Sequence, residues 1–411
     1  MIGKQKQYLA KAFVLHMGAN GLGITRSLGR VGVPVVGVDF ERNAPGLYSR
    51  FCEPLVIPNP LGNPEKALDV LMARGEELET KGVIMAASDI FLLFLSRYRN
   101  ELSKHFSFVI PREEIVEGIN NKKIQYELAK RIGIPIPRTV FPDSNGNLKE
   151  EVEGMQYPLF IKPCISHLFS QKFAGKGFIA QTFDELRISW QKIRNAGVEA
   201  MIQEVVQGPE TNLFGMSAYF NRNGQMVATY LNRKIRQYPP DFGVASIHES
   251  MVNQEVMSIG IKYFQGLDYR GMGGVEFKFD QRDRRYKLIE LNLRTGMQNI
   301  NTTASGINFA LIRYLDAIGE ELESPPEQVN GVRWADAIAD FKSFLIRKKR
   351  GDTVSILAFM KDWLTADTHA FYAINDPLPL IVRSEFGIAV MHEIVTMGKS
   401  AHRKHNPTLQ H

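Results

Sequence analysis

Gly271–Gln298, GMGGVEFKFDQRDRRYKLIELNLRTGMQ, decides how the chain is read. Val275, Phe277 and Phe279 alternate with Glu276, Lys278 and Asp280. Beyond the polar turn Gln281–Arg285, the residues Leu288, Glu290, Asn292 and Arg294 alternate with Ile289, Leu291 and Leu293. A period of two marks strands with one buried face, so the stretch is a hairpin with apolar residues on one side and charged ones on the other. Pairing Asp280 with Tyr286 and Lys278 with Leu288 sets Glu276 directly opposite Glu290, with Cβ atoms about 5 Å apart. Facing carboxylates repel unless a cation sits between them. Mg²⁺ suits such a place, because it takes oxygen from one or two carboxylates and leaves positions for substrate phosphates. Asn292 adds a carbonyl oxygen, and Arg294 on the same face presents a planar, permanently charged fork suited to a phosphate or acyl phosphate. The plain alternative is a solvated hairpin face that carries charges.

The 411 residues allow two or three domains, at about 100 to 200 residues each. Hydrophobic residues at 44% and charged residues at 23% exclude a collagen-like, coiled-coil or disordered chain. The net charge of +6 fits a binder of anionic nucleotides and carboxylates, but there is no concentrated basic face of the kind that nucleic acid requires. Cys52 and Cys164 are the only cysteines, too few for a disulfide framework or a cysteine-rich zinc site. The N-terminal apolar run enters a glycine turn without a cleavage site. The longest apolar run, Val83–Leu95, is broken by Ser88 and Asp89 and is too short to span a bilayer. A cytoplasmic protein is expected.

Along the chain, residues 12–18, AFVLHMG, lead into Gly18, Gly21 and Gly23, a helical stretch Ile24–Val31 and the run Val33–Asp39. This strand, turn, helix and strand open a doubly wound parallel sheet. The spacing G-x-x-G-x-G departs from the dinucleotide fingerprint, although a helix N-terminus there can still meet an anion such as a carboxylate. Gly82–Ala87 is a further parallel strand. Ser88 and Asp89 at its carboxyl end are candidate substrate contacts, or the cap of the helix Ile90–Tyr98, or both. Asn120–Ile132 is helical and stops at Gly133, and the first domain boundary falls just before it. In YPLFIKP (157–163), Lys162 lies among apolar residues and either snorkels or meets an anion. The loop Ser166–Gly177 either closes over a phosphate tail or is an ordinary hairpin turn. AMIQEVV (200–206) is a strand that runs into Glu210. LNRKIRQYPPDFG (231–243) puts Arg233, Lys234 and Arg236 on a Pro/Gly-rich segment, as an anion clamp or a solvated strand end.

These residues together resemble the ATP-grasp superfamily, over nearly the whole chain and in the family's order. Lys122 and Lys162 look like its two phosphate-binding lysines. Gln203, Glu204 and Val206 resemble the hinge whose backbone reads adenine, and Glu210 the carboxylate that holds the ribose hydroxyls. Glu276, Glu290 and Asn292 match its Mg²⁺ ligands, and Arg294 the arginine that steadies the phosphorylated intermediate. LNRKIRQYPPDFG and AFYAINDPLPL (370–380) are similar to a branch of carboxylate–amine ligases that includes D-aspartate ligases. Two departures stand out: Gln203 occupies a place that is often acidic, and the loop Ser166–Gly177 has fewer glycines than usual.

The resemblance implies an α/β protein, α+β in its ATP-grasp part. A doubly wound parallel-sheet domain (1–115) precedes two lobes that clamp ATP (116–205 and 206–330), and a partly helical extension follows (331–411). The implied activity is ADP-forming ligation of a carboxylate to an amine through an acyl phosphate, with ATP and Mg²⁺, for which Mn²⁺ can substitute. Arg294, Lys234 and Arg236 are the catalytic candidates; Ser88, Asp89 and Arg233 are the substrate-binding ones. A carboxylate–thiol ligase, a kinase of the same fold and a catalytically silent nucleotide-binding regulator remain as alternatives. Small-molecule substrates are the expected partners, with a homodimer left open. Phe341–Trp363 is read as amphipathic helices whose basic cluster Lys342, Arg347, Lys348, Lys349 and Arg350 is a solvated face or, less favoured, rests on an anionic membrane. The histidines of Ser400–His411 are too loosely spaced for a metal site.

Overall fold

The computed structural model describes residues 8–143, 146–165, 168–169, 171–173, 175–320 and 324–383. Its first sheet contains β1 (Ala12–Leu15), β2 (Val35–Asp39), β3 (Glu53–Val56), β4 (Gly82–Ala86) and β5 (Phe106–Ser107), all parallel and ordered β3-β2-β1-β4-β5. β1, β2 and β4 are buried at every position, which is why they read as unbroken apolar runs. The helix Ala19–Gly29 follows β1 at once. A Cβ on Gly21 would come within 1.9 Å of the His16 carbonyl, and one on Gly23 within 2.4 Å of the Asn299 side chain. Those two glycines therefore serve close packing, the first against the strand end and the second against the helix Asn299–Ala304.

The second sheet is antiparallel: β6 (Thr139–Val140), β7 (Leu159–Pro163), β8 (Phe178–Ala180) and β9 (Ala200–Glu204), ordered β6-β9-β7-β8. Leu186, Trp190 and Ile193 line one side of the helix Phe183–Asn195, the spacing of an amphipathic stripe, and join Leu159, Ile161 and Ile202 in its core. The third sheet contains β10 (Leu213–Phe220), β11 (Met226–Tyr238), β12 (Val244–Ser250), β13 (Gly271–Asp280), β14 (Arg285–Asn292), β15 (Arg333–Ala335) and β16 (Thr368–His369). Its order is β14-β13-β10-β11-β12-β15-β16.

The sheet runs past residue 330, because β15 pairs antiparallel with β12 and buries Trp334 completely; the segment after 331 is built into the large lobe. The basic stretch from Leu231 lies on the strand β11, and only 239–243 forms a turn. No helix among the described residues is long and apolar enough to cross a membrane. The terminal histidines and part of the loop Ser166–Gly177 (166, 167, 170 and 174) lie outside the described residues.

The β13–β14 register corrects the simple hairpin. Asp280 pairs with Arg285, Lys278 with Lys287 and Phe277 with Leu288, one position away from the expected alignment. A bulge then restores Glu276 opposite Glu290, Val275 opposite Leu291 and Gly274 opposite Asn292. The bulged residue, Ile289, switches the phase of β14, so that Leu288 and Leu291 both face the core. Its displaced backbone is held from the helix Lys122–Ile132. Tyr126 donates its hydroxyl to the Ile289 carbonyl at 2.8 Å, and the Gln125 amide donates to the Leu291 carbonyl at 3.0 Å and accepts from the Leu291 N–H at 3.2 Å.

The segment AFYAINDPLPL straps the large lobe to the first domain. Asp376 Oδ2 accepts from Arg26 Nε at 2.9 Å and from the Ser49 hydroxyl at 2.8 Å, and Oδ1 accepts from the Arg50 N–H at 2.9 Å. Both side chains of the ion pair are only 2% exposed. Removing one partner of such a pair leaves a buried, uncompensated charge, so Asp376→Ala is expected to cost about 3 to 5 kcal/mol in urea unfolding. A change below about 1 kcal/mol, the level of an exposed pair, would contradict that role. Cys52 and Cys164 are free thiols pushed up to about 12, chiefly by burial, which makes both unreactive.

Candidate functional site

A cavity of about 600 Å³ lies between the second and third sheets and reaches the first domain at Ser88 and Asp89. Lys122, Lys162, Lys176, Lys234 and Lys278 line it, together with Glu276, Glu290 and Asn292. The cations that compensate the facing carboxylates are on the protein: Lys122 Nζ is 3.1 Å from Glu290 Oε1, and Lys234 Nζ is 3.5 Å from Glu276 Oε2. Burial would raise Glu290, but Lys122, Lys176 and Lys162 outweigh it and hold the carboxyl down at about 2. Glu290 is thus ionised at any physiological pH. Among the described residues there is no cluster of three His, Cys, Asp or Glu able to hold a metal. The donor set at the hairpin is two carboxylates and an amide oxygen. It fits a hard divalent ion whose remaining ligands come from phosphate and water.

Lys162 leaves the apolar side of β7 and enters the cavity. Its Nζ donates to Gln203 Oε1 at 2.7 Å, while Gln203 Nε2 donates to the Thr139 hydroxyl at 2.8 Å. The neutral Gln203 thereby aims the ammonium without neutralising it. Burial, and next the neighbouring Lys122, lower Lys162 to about 7. The Glu204 side chain is turned away: Oε1 accepts from the Gln156 N–H at 2.9 Å and Oε2 lies 3.3 Å from Arg282. Glu204, Val205 and Val206 line the cavity in succession, which leaves their backbone to meet a flat heterocycle.

The remaining candidates divide. The Ser88 hydroxyl caps the helix Asp89–Arg97, and Asp89 Oδ1 accepts from Arg294 Nε at 2.9 Å, so this pair joins the first domain to the hairpin end. Glu210 is engaged by Arg347 at 2.6 Å. Arg233 pairs with Glu249 at 2.6 Å and is not among the cavity residues. Arg236 is engaged elsewhere. Register shifts in β11 after Lys234 set it opposite Ile247, and its guanidinium meets Asp340 at 2.8 Å and Asp362 at 2.5 Å while stacking 4.0 Å over the Phe359 ring. It neutralises the fully buried Asp340 and is not among the cavity residues. Arg347 and Arg350 of the basic cluster are likewise paired, with Glu210 and Asp241.

Sequence reasoning missed Lys278, Phe242 and the pair Gln125 and Tyr126. Phe242 packs on Phe160 across the cavity, ring centroids 5.0 Å apart, and so links the two lobes. A glutamine three residues after the lysine that opens a helix is a signal in retrospect, because a buried amide must find backbone partners.

Two facing lobes of antiparallel sheet that close lysines of one over paired carboxylates of the other define the ATP-grasp fold, and this chain has it. Within that class it resembles the carboxylate–amine ligase branch that includes D-aspartate ligases. Residues 245–324 match the family described as carbamoyl-phosphate synthase L chain, ATP binding domain. The chain is 27% identical over 284 residues to the D-aspartate ligase of Enterococcus faecium (strain Aus0004), covering 66% of this chain and 67% of that protein. In structure it is similar to the L-amino acid ligase of Bacillus licheniformis, with a TM-score of 0.55 and 17% identity, covering 79% of this chain and 76% of that one. It is also similar to the biotin carboxylase domain dimer of Hydrogenobacter thermophilus 2-oxoglutarate carboxylase, a complex containing MgADP. There the TM-score is 0.61 at 17% identity, covering 79% and 73% of the two chains.

Proposed function

We propose that this protein is an ATP- and Mg²⁺-dependent ligase that activates a small carboxylic acid as an acyl phosphate and joins it to an amine. The observation that carries the reading is the convergence, in one cavity, of Lys122 and Lys162 from the small-lobe side with Glu276, Glu290 and Asn292 from the large lobe. The D-aspartate ligase relative supports an amino acid as the carboxylate.

Lys122, Lys162 and Lys176 would lie along the polyphosphate and offset its charge as the substrate carboxylate approaches. Glu276, Glu290 and Asn292 would hold Mg²⁺, which supplies charge neutralisation at the phosphates when bound. A carboxylate oxygen forms the new bond to the γ-phosphorus, and the bond to the ADP oxygen breaks. The amine nitrogen then attacks the acyl carbon, phosphate departs with the C–O bonding pair, and the nitrogen gives up one proton to the departing phosphate. Arg294 is paired with Asp89 and is not itself among the residues that line the cavity, but it follows Leu293, which is; from there it would orient the acyl phosphate. A cytoplasmic setting would supply ATP and suits two reduced thiols.

The deciding measurement is ADP release across amino acids of both configurations, beginning with D-aspartate, each with and without amine acceptors, with product masses. An amide product establishes the reading. A thioester or phosphorylated product replaces it, and tight ATP binding without any stimulated turnover would make the protein a nucleotide-binding regulator.

A further inference from the structure

The helix Ala337–Arg350 contributes no residue to the cavity lining, yet its last turn pairs with the cavity residue Asp241 through Arg350. Arg347 Nη2 meets Glu210 Oε1 at 2.6 Å, and that same oxygen accepts the Asp241 N–H at 3.2 Å. The two side chains are 19% and 15% exposed, so the ion pair is well screened from water. Glu210 stands in the short turn Glu210–Asn212 between β9 and β10, with Lys278 of the cavity wall near enough to feel its charge. One carboxylate oxygen is thus occupied twice, from the outside. Glu210 is not itself a lining residue, but its neighbours Asp241 and Lys278 are. A carboxylate has about four lone-pair sites, so Oε2 keeps acceptor capacity beside them.

The turn that follows β11 is anchored from the same helix. Arg350 Nη1 meets Asp241 Oδ2 at 2.6 Å, and Lys234 Nζ approaches the Gly243 carbonyl at 3.5 Å. Between these anchors stands Phe242, which packs on Phe160 of the small lobe. The two arginine contacts differ in weight. The Arg350–Asp241 side chains are 48% and 55% exposed, and exposed pairs contribute little. The Arg347–Glu210 pair is the one that can fix a geometry.

We infer that Arg347 is a positioning residue of the nucleotide site, holding Glu210 so that its free oxygen is presented to the ribose hydroxyls. The C-terminal helix is therefore a determinant of ribonucleotide selectivity. This rests on the ATP reading of the cavity. Without Arg347, Glu210 loses the arginine that fixes Oε1 and keeps only the Asp241 N–H there, with Lys278 as a further charge that acts on it.

Calorimetric binding of ATP, 2′-deoxy-ATP and 3′-deoxy-ATP, with no other substrate present, tests this, alongside ADP release. The intact protein should prefer ATP. Arg347→Ala should weaken ATP about ten-fold, equivalent to about 1.4 kcal/mol, and leave the deoxy analogues within about two-fold, so that selectivity collapses as it does in Glu210→Ala. Arg347→Lys should recover part of the selectivity and serves in place of the alanine variant if that one does not fold. Arg350→Ala should stay within about two-fold of wild type for all three nucleotides, as a pair exposed to solvent would. Loss of selectivity in Glu210→Ala but not in Arg347→Ala overturns the inference while the ATP site stands. Selectivity unchanged in Glu210→Ala overturns it too. An intact protein that binds none of the three nucleotides sinks the ATP reading itself.

Discussion

Glu290→Gln is expected to reduce Mg²⁺-dependent ADP release by about a thousand-fold, while nucleotide binding without metal is retained or tightened. The two effects have one cause. Glu290 is kept ionised by Lys122, Lys176 and Lys162, so in the free protein it serves as counter-charge to three cations. Neutralising it removes a proposed metal ligand and at the same time leaves those lysines uncompensated, which favours a bound polyphosphate. Loss of one group that stabilises developing charge costs about 10² to 10³ in rate, and a charged metal ligand belongs at the upper end. The glutamine keeps the shape, and the carboxylate is 36% exposed rather than core, so the unfolding midpoint should hardly move. ADP release within a few-fold of wild type at saturating Mg²⁺ would remove the hairpin from the metal site. Glu276→Gln should behave alike, with the released cation now Lys234.

The facing of Glu276 and Glu290 was legible in the sequence because two errors cancelled. Period-two alternation is a property of ideal strands, and it places Lys278 opposite Leu288; the real pairing is Lys278 with Lys287, and the bulge at Ile289 restores the carboxylate row. A bulge leaves little trace in an apolar run, since Ile289 suits either face. Its trace was elsewhere, in Gln125 and Tyr126 on a helix far away in sequence. The parallel sheet was legible for the opposite reason: its strands are buried on both faces and carry no phase to mistake. Charge without partners is where reading failed. Lys234 and Arg236 look equivalent in LNRKIRQY, but Asp340 and Asp362, which claim Arg236, come from helices more than a hundred residues later and are not visible as partners until the chain folds. The strap through Asp376 was visible only as a segment similar to related chains, with no hint that a buried arginine in the first helix was its purpose.

Lys162→Met is expected to weaken ADP binding about a hundred-fold near pH 6 and much less near pH 9, so that the difference between variant and wild type, which cancels the titration of the nucleotide itself, depends on pH. Lys162 faces Gln203 and the Phe160 ring, with Lys122, Lys176 and Glu290 as the nearby charges. Burial and Lys122 bring it down to about 7 against the pull of Glu290. A polyphosphate against Nζ favours the ammonium, so the value in the complex is higher than in the free protein. The contribution of Lys162 to affinity is then fully present below about 7 and falls by up to ten-fold per pH unit above it, until the complex itself begins to lose the proton. Calorimetry of ADP at a series of pH values would show it. A difference that stays flat from pH 6 to 9 would mean that Lys162 enters the complex already charged. The neighbours give the prediction a second edge. Lys122→Met removes a cation that depresses Lys162, so the decline should begin at higher pH. Glu290→Gln removes the anion that supports it, so the decline should begin at lower pH, and the proposed metal ligand is then seen acting on Lys162 with no metal present.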